Sequence, residues 1–167
     1  MKAVVQRVSQ ASVSVEGKTL GDIGPGLVVL LGIGHGDGEE QAQWMANKIA
    51  NLRVFADDNG KMNRSVLDVG GQVLLISQFT LYGDARKGNR PGFSDAALPD
   101  VAEPLVNHVA QLLSQANVPV ATGQFQAHML VEIHNDGPVT IILEKWVQAG
   151  YTGPAMNSSQ RGTYVGL

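Results

Sequence analysis

Leu27-Val28-Val29-Leu30-Leu31 is apolar at every position, and Val73-Leu74-Leu75-Ile76 repeats the pattern after Gly70-Gly71. A strand with one face in water alternates apolar and polar residues, so runs like these suit central strands covered on both faces. Gly24-Pro25-Gly26 breaks the chain just before the first run, and the second stops abruptly at Ser77. Upstream, Val4, Gln6 and Val8 alternate with Ala3, Val5 and Arg7, and Val13 and Val15 alternate with Ser12 and Ser14. That two-residue period marks strands. Glu16-Gly17-Lys18 is a hairpin-type turn leading into a short strand that ends near Ile23.

Between the two apolar runs the spacing predicts a helix from about Glu39 to Arg53, with Ala42, Met45, Ala46, Ile49 and Leu52 on one face. Asp37 stands ahead of it as the expected cap, and Glu39 and Glu40 suit the positive end of its dipole. After the second run, a polar loop with Arg86, Lys87 and Arg90 extends to about Pro99. A second helix is expected from about Val101 to Ala116, with Val101, Leu105, Val109, Leu112 and Ala116 as its stripe. Pro104 bars a full interior turn, so the regular part is expected to begin near Glu103. Two strands then close the domain, from Met129 to Asn135 and from Val139 to Lys145, joined by a tight Asp136-Gly137-Pro138 turn. The fold class expected is α/β, a single domain of mixed, largely antiparallel sheet with two main helices. The sequence after Trp146 is rich in Gly, Ser and Asn.

The chain has 167 residues, 44% apolar and 16% charged, which fits one globular domain rather than a disordered segment. It has no cysteine, which removes disulfides, thiolate zinc sites and a cysteine nucleophile together. The formal net charge is −3, whereas proteins that wrap long nucleic acid are strongly basic. Any nucleic-acid partner must therefore be touched locally, at an end or a loop. Met1 and Lys2 lead directly into strand-like sequence, and no apolar run is long enough to span a bilayer. A soluble, cytoplasmic protein without a membrane partner is expected.

Four features are candidates for chemistry. Gly32-Ile33-Gly34-His35-Gly36-Asp37-Gly38 lies where dinucleotide-binding loops occur, but Asp37 stands where the third glycine of that fingerprint belongs and would face an incoming phosphate. The histidines lack metal-site spacing: His128 and His134 are separated by about 20 Å of strand. Ser77-Gln78-Phe79-Thr80 ends a buried strand, the usual place for α/β sites, although Ser77 and Thr80 also serve simply to satisfy backbone groups there. Asp136-Gly137-Pro138 reads as a plain hairpin tip or as the place for a cis peptide. Singly, none of these names a function.

Together, Ser77-Gln78-Phe79-Thr80-Leu81 and Asn135-Asp136-Gly137-Pro138-Val139-Thr140 closely resemble the two motifs of the D-aminoacyl-tRNA deacylases. The resemblance extends to Gln6-Arg7-Val8, Gly60-Lys61-Met62-Asn63, Arg90-Pro91 with Phe93-Ser94, and Thr122-Gly123 with Phe125, over positions 1–145 in order, which implies a domain of that span with 146–167 as a C-terminal extension. It implies a deacylase-type fold and a cofactor-free, metal-free homodimer whose sites lie at the subunit interface and receive the acceptor end of aminoacyl-tRNA. It also implies a cis Gly137-Pro138 peptide on a tip that enters the partner's pocket and presents its carbonyls to the substrate's α-amino group. Ser77, Gln78, Phe79 and Thr80 would line the pocket for the ester and terminal ribose, Phe125 and Met129 would pack on the terminal adenine, and Arg7 would hold the tip. The sequence departs from the family at Gln126, where a small residue is usual, and at His128, where an acidic one is common.

The implied reaction is hydrolysis of the ester between a D-amino acid and tRNA, with L-aminoacyl-tRNA rejected by exclusion at the Gly-Pro tip and glycyl-tRNA not rejected. Backbone N–H groups in the Gln78–Thr80 turn would stabilise the oxyanion. Thr80 has no evident base beside it in sequence, so water assisted by the substrate's 2′-hydroxyl is the expected nucleophile. Two other classes remain open at this level: an RNA-end or nucleotide-binding module using the Gly32–Gly38 loop, and a small-molecule hydrolase using Ser77 or Thr80 with a histidine.

Overall fold

The structure, a computed structural model, describes residues 1–146; the rest of the expected extension, 147–167, lies outside the described residues. The elements run β1 (Lys2–Val15), β2 (Lys18–Ile23), β3 (Gly26–Gly32), α1 (Glu39–Asn51), β4 (Phe55–Ala56), β5 (Met62–Arg64), β6 (Gln72–Ser77), a 3-10 turn (Phe79–Tyr82), α2 (Pro99–Gln115), β7 (Val120–Thr122) and β8 (Leu130–Glu144). The main sheet has the order β2-β1-β3-β6-β7, with β8 also on β1, and β4 and β5 form a separate ribbon. Pairings of β1 with β2, β3 and β8 are antiparallel, while β3–β6 and β6–β7 are parallel. The result is a mixed α/β domain with two helices and a mostly antiparallel, barrel-like sheet.

The central runs behave as their composition predicts. Leu27, Val29 and Leu31 of β3 and Val73 and Leu75 of β6 join a core with Ala42, Met45 and Ile49 of α1 and Val106, Val109 and Leu113 of α2. The alternate residues Val28, Leu74 and Ile76 face the other way, into a second core with Val8, Val13 and Ile23 inside the curl of the sheet. Burying each such side chain is worth about 1.5–3 kcal/mol relative to leaving it in water. The parallel β3–β6 pair requires a long crossover, which α1 and the β4–β5 ribbon provide. At the first hairpin Glu16 and Gly17 both have positive φ, 50° and 78°, the backbone of a two-residue turn matched to strand twist.

The structure corrects five expectations. The segments around Gly137-Pro138 do not pair with each other as a hairpin; they belong to one strand, β8, and both pair with the long β1 on either side of a bulge. While β1 advances two residues from Gln6 to Val8, β8 covers five from Thr140 back to Asn135, so 136–139 bulge out. Helix α1 stops at Asn51, short of Arg53, and its cap is Gly38, whose N–H donates to Gln41 Oε1 at 2.9 Å. Asp37 is buried instead. Helix α2 begins at Pro99, with Pro in the first turn and Pro104 tolerated inside. Its buried stripe is Ala102, Val106, Val109 and Leu113, which leaves Val101 exposed and rotates the face by one residue from the expected one.

Candidate active site

Strand β6 leaves the sheet after Ser77, where the Gln78 N–H makes a last ladder bond to Leu31 O at 2.7 Å. The chain then tightens into the 3-10 turn, with the Gly83 N–H bonded to Thr80 O at 2.9 Å. The first amides of such a turn have no partner within it. Accordingly, the N–H groups of Phe79 and Thr80 make no hydrogen bond among the described residues. Ser77 and Gln78 are half-buried, and Phe79 and Thr80 are exposed. The Thr80 hydroxyl is hydrogen-bonded to the Gln78 side-chain amide. Whichever end of an amide faces it, that group is too weak a base to take the hydroxyl proton.

Tyr82 anchors this turn. Its ring lies against the backbone at the end of β3, where a Cβ on Gly34 would stand 2.5 Å from the Tyr82 hydroxyl oxygen. Burial, with the Asp37 carboxylate close by, raises its pKa far above the ordinary phenol value. Asp37 fills the glycine-rich loop from within: Oδ2 accepts the Gly34 N–H at 2.7 Å, and Oδ1 pairs with the Met1 α-amine at 2.6 Å. Burial pushes the pKa of that amine below its ordinary value, against the pull of Asp37. A loop whose donor already serves its own carboxylate is poorly suited to cradle a phosphate.

Beside the turn, Ser77 shares a pocket with Val106, Asn107, Gly123, Phe125 and Met129. Gly123 lets the Met129 side chain pack close to the backbone there: a Cβ would lie 2.4 Å from its sulfur and force it to shift. Gln126 has φ 60°, in the left-handed region where glycine is favoured. Gln126 and His128 are both exposed, between the half-buried Phe125 and Met129.

The bulge of β8 carries a cis peptide at Gly137-Pro138, and both residues are exposed. Arg7 braces it: Nε donates to Asp136 O at 3.2 Å and lies 3.2 Å from Asp136 Oδ2, while Nη1 donates to Val54 O at 2.6 Å. A side chain on Gly137, whose φ is 121°, would meet Arg7 Nη2 at 2.9 Å. Asn135 Nδ2 reaches Val139 O at 3.4 Å, and Gln6 Nε2 donates to Thr140 Oγ1 at 3.2 Å. The bulge is thus held by three side chains.

Ser77, Phe125 and Met129 come together, as do Arg7 and Gly137-Pro138, but these two groups stand apart within one chain. Strand β8 is separated from β6 by β1 and β3, or about 14 Å of strand spacing. In register, Arg7 matches Leu27 and Val73, four residues before the Leu31–Ser77 pair, or about 13 Å along the strands. Tyr82 and Asp37 were not legible as anchors, because Tyr82 packs on Gly34 and Asp37 pairs with Met1, partners distant in sequence. Asn135, Gln6 and Thr140 were not legible as braces of the bulge either. Among the described residues no group of three or more His, Asp or Glu side chains could hold a metal ion.

The family model described as D-Tyr-tRNA(Tyr) deacylase matches residues 4–144. A D-aminoacyl-tRNA deacylase of Heliobacterium modesticaldum is 62% identical over 144 residues, covering 86% of this chain and 96% of the relative. One from Roseiflexus castenholzii is 57% identical, covering 86% of this chain and 92% of that one. A solved structure titled "c-Myc DNA Unwinding Element Binding Protein" superposes with a TM-score of 0.83 at 45% identity, covering 88% of this chain and all of that one (100%). A probable eukaryotic D-amino acid tRNA deacylase shares the fold at 15% identity, with a TM-score of 0.70, covering 85% of this chain and 97% of that one. The chain belongs to the D-Tyr-tRNA(Tyr) deacylase family, hydrolases that cleave the ester bond of D-aminoacyl-tRNA.

Proposed function

We propose that this protein hydrolyses D-aminoacyl-tRNA at a site made by two chains: the Ser77–Thr80 turn and its pocket from one, the Gly137-Pro138 bulge from the other. The observation that carries this reading is the pair of unpartnered amides at Phe79 and Thr80, two and three residues beyond Ser77, which lines a pocket with Phe125 and Met129. Phe125 and Met129 take the terminal adenine, Ser77 and Gln78 face the ribose, and the Phe79 and Thr80 N–H groups receive the oxyanion. Such a donor is worth about 3 kcal/mol of transition-state stabilisation. Thr80 has only an amide beside its hydroxyl, so the nucleophile is water, assisted by the 2′-hydroxyl of the substrate. Neither a metal nor a cofactor takes part in this reading.

The separation of bulge and turn within one chain supports the homodimer. β8 is also an edge strand with Leu130 62% and Ile142 66% exposed, apolar surface that a second copy would cover. The exposed carbonyls of Gly137 and Pro138 would accept hydrogen bonds from the substrate α-amino group. With the amine so held, an L side chain would point into the tip, whereas a D side chain or the hydrogen of glycine would not. Glycyl-tRNA is therefore a substrate and L-aminoacyl-tRNA is not. No helix among the described residues is long and apolar enough to cross a membrane. A tRNA substrate would place the enzyme's work in the cytoplasm.

The test is D-tyrosyl-tRNA hydrolysis with a chelator present, comparing wild type, Thr80→Ala and Pro138→Ala. Activity is expected to survive chelation and Thr80→Ala, and to fall on Pro138→Ala. Abolition by Thr80→Ala alone would make its hydroxyl the nucleophile. A strictly monomeric active enzyme would rule out the shared site.

A further inference from the structure

An aromatic pair stands at the rim of the turn, and the ester chemistry, which draws on the Phe79 amide, uses neither ring. The rings of Phe79 and Phe93 meet edge to face with centroids 5.0 Å apart, yet Phe79 is 57% and Phe93 37% exposed. Phe93 sits at the base of a closed loop. Asp84 and Gly92 exchange both backbone hydrogen bonds, at 2.8 and 2.9 Å. A Cβ on Gly83 would stand 3.2 Å from the Phe93 ring, so the ring rests on the backbone just beyond the 3-10 turn. The Asp84 carboxylate accepts from Arg86 Nε and Nη2 at 2.8 and 2.7 Å, which fixes one arm of the loop and holds that carboxyl well below its ordinary pKa. Lys87 and Arg90 are exposed on the same loop and make no ion pair with any described residue.

Positioned aromatic faces beside cations are the physical means of binding single-stranded nucleic acid: bases stack, phosphates neutralise, and sequence is not read. We propose that Phe93, with Phe79, is a stacking platform for the unpaired nucleotide just 5′ of the terminal adenosine of tRNA, with Lys87 and Arg90 toward its phosphate. The inference rests on the Ser77–Thr80 turn being the active site. Ser77 lines the adenine pocket and Phe79 is two residues on, at most about 7 Å of chain, so the adjoining nucleotide is the one within reach. This also accounts for local RNA recognition by an acidic protein: the cations are gathered where the strand passes.

The experiment compares D-tyrosyl-tRNA with D-tyrosyl-adenosine, which lacks that nucleotide, as substrates of wild type, Phe93→Ala, Phe93→Tyr and Lys87→Ala/Arg90→Ala. Phe93→Ala is expected to raise KM about tenfold for the tRNA only, with kcat unchanged, and Phe93→Tyr to restore it. The double cation variant is expected to flatten the salt dependence of KM for the tRNA and leave the adenosine substrate untouched. Equal losses on both substrates would overturn the proposal, because Phe93 would then touch the amino acid or only support the turn. So would no change on either, or a change of oligomeric state by sedimentation, which would make the pair an interface between copies. If wild type cleaves D-tyrosyl-adenosine but Pro138→Ala leaves that unaffected, the shared-site reading fails separately, and the Phe93 comparison still stands or falls alone.

Discussion

Two loops leave the same end of the sheet from neighbouring parallel strands, and they spend their backbone donors in opposite ways. After β3, the loop Gly32-Ile33-Gly34-His35-Gly36-Asp37-Gly38 turns inward: Asp37 takes the Gly34 N–H and the Met1 amine, and Tyr82 covers the glycines. After β6, the turn at Phe79 and Thr80 leaves both amides without a partner among the described residues, on two exposed residues. By glycine content the first resembles a ligand site and the second does not. Donor availability reverses that ranking, because a buried donor already paired has nothing to offer a ligand. The closed loop is also the foundation of the open one, through Tyr82.

That contrast can be broken in several places. The largest effect is expected from Asp37→Ala, which strands a buried amine and the Gly34 N–H; removing one partner of such a pair costs about 3–5 kcal/mol. Urea unfolding would measure it, and a loss below 1 kcal/mol would mean the loop is not filled as described. Next, replacing the Thr80 amide by an ester oxygen through chemical ligation should slow deacylation about a hundredfold while leaving stability nearly unchanged. An unchanged kcat would move the oxyanion contact elsewhere. Gly34→Ala should push the Tyr82 ring and cost about 1–3 kcal/mol, with activity falling alongside. Full activity with an unshifted Tm would show that Tyr82 does not anchor the turn.

The smallest effect is a pH dependence. The folded-state pKa of Tyr82 is raised above the unfolded value of 10.0, by burial first and by Asp37 second. Its stabilising contribution is therefore complete below pH 10 and declines as pH rises beyond it, because the unfolded chain then releases a proton that the folded chain retains. Chemical denaturation between pH 9 and pH 11 should show wild type losing stability more steeply than Tyr82→Phe. Parallel curves would remove Tyr82 as the source.

Local pattern carried much of the fold and part of the site. Leu27–Leu31 and Val73–Ile76 announced two covered strands because each lacks a polar face, and their residues indeed divide between two cores. The strand end at Ser77 was equally legible. Helix α2 was misread by one residue on its buried face, since Pro104 suggested a late start while Pro99 in fact opens the helix. Asp37 looked like a cap from its neighbours, but its partner is Met1. The Gly137-Pro138 segment looked like a hairpin tip because a turn signal between two strands says nothing of which strand they pair with.

By itself, the sequence determined the pair of central strands, the helix between them, the absence of cysteine chemistry and the two motifs that identify the family. Each of these is written in residues close together along the chain, where side-chain period and composition act directly. Only the tertiary structure decided that the glycine-rich loop is filled, that the amides of Phe79 and Thr80 are open, and that β8 bulges along β1. Those outcomes depend on which distant group takes each hydrogen bond, and that is settled when the sheet closes and strands far apart in sequence become neighbours.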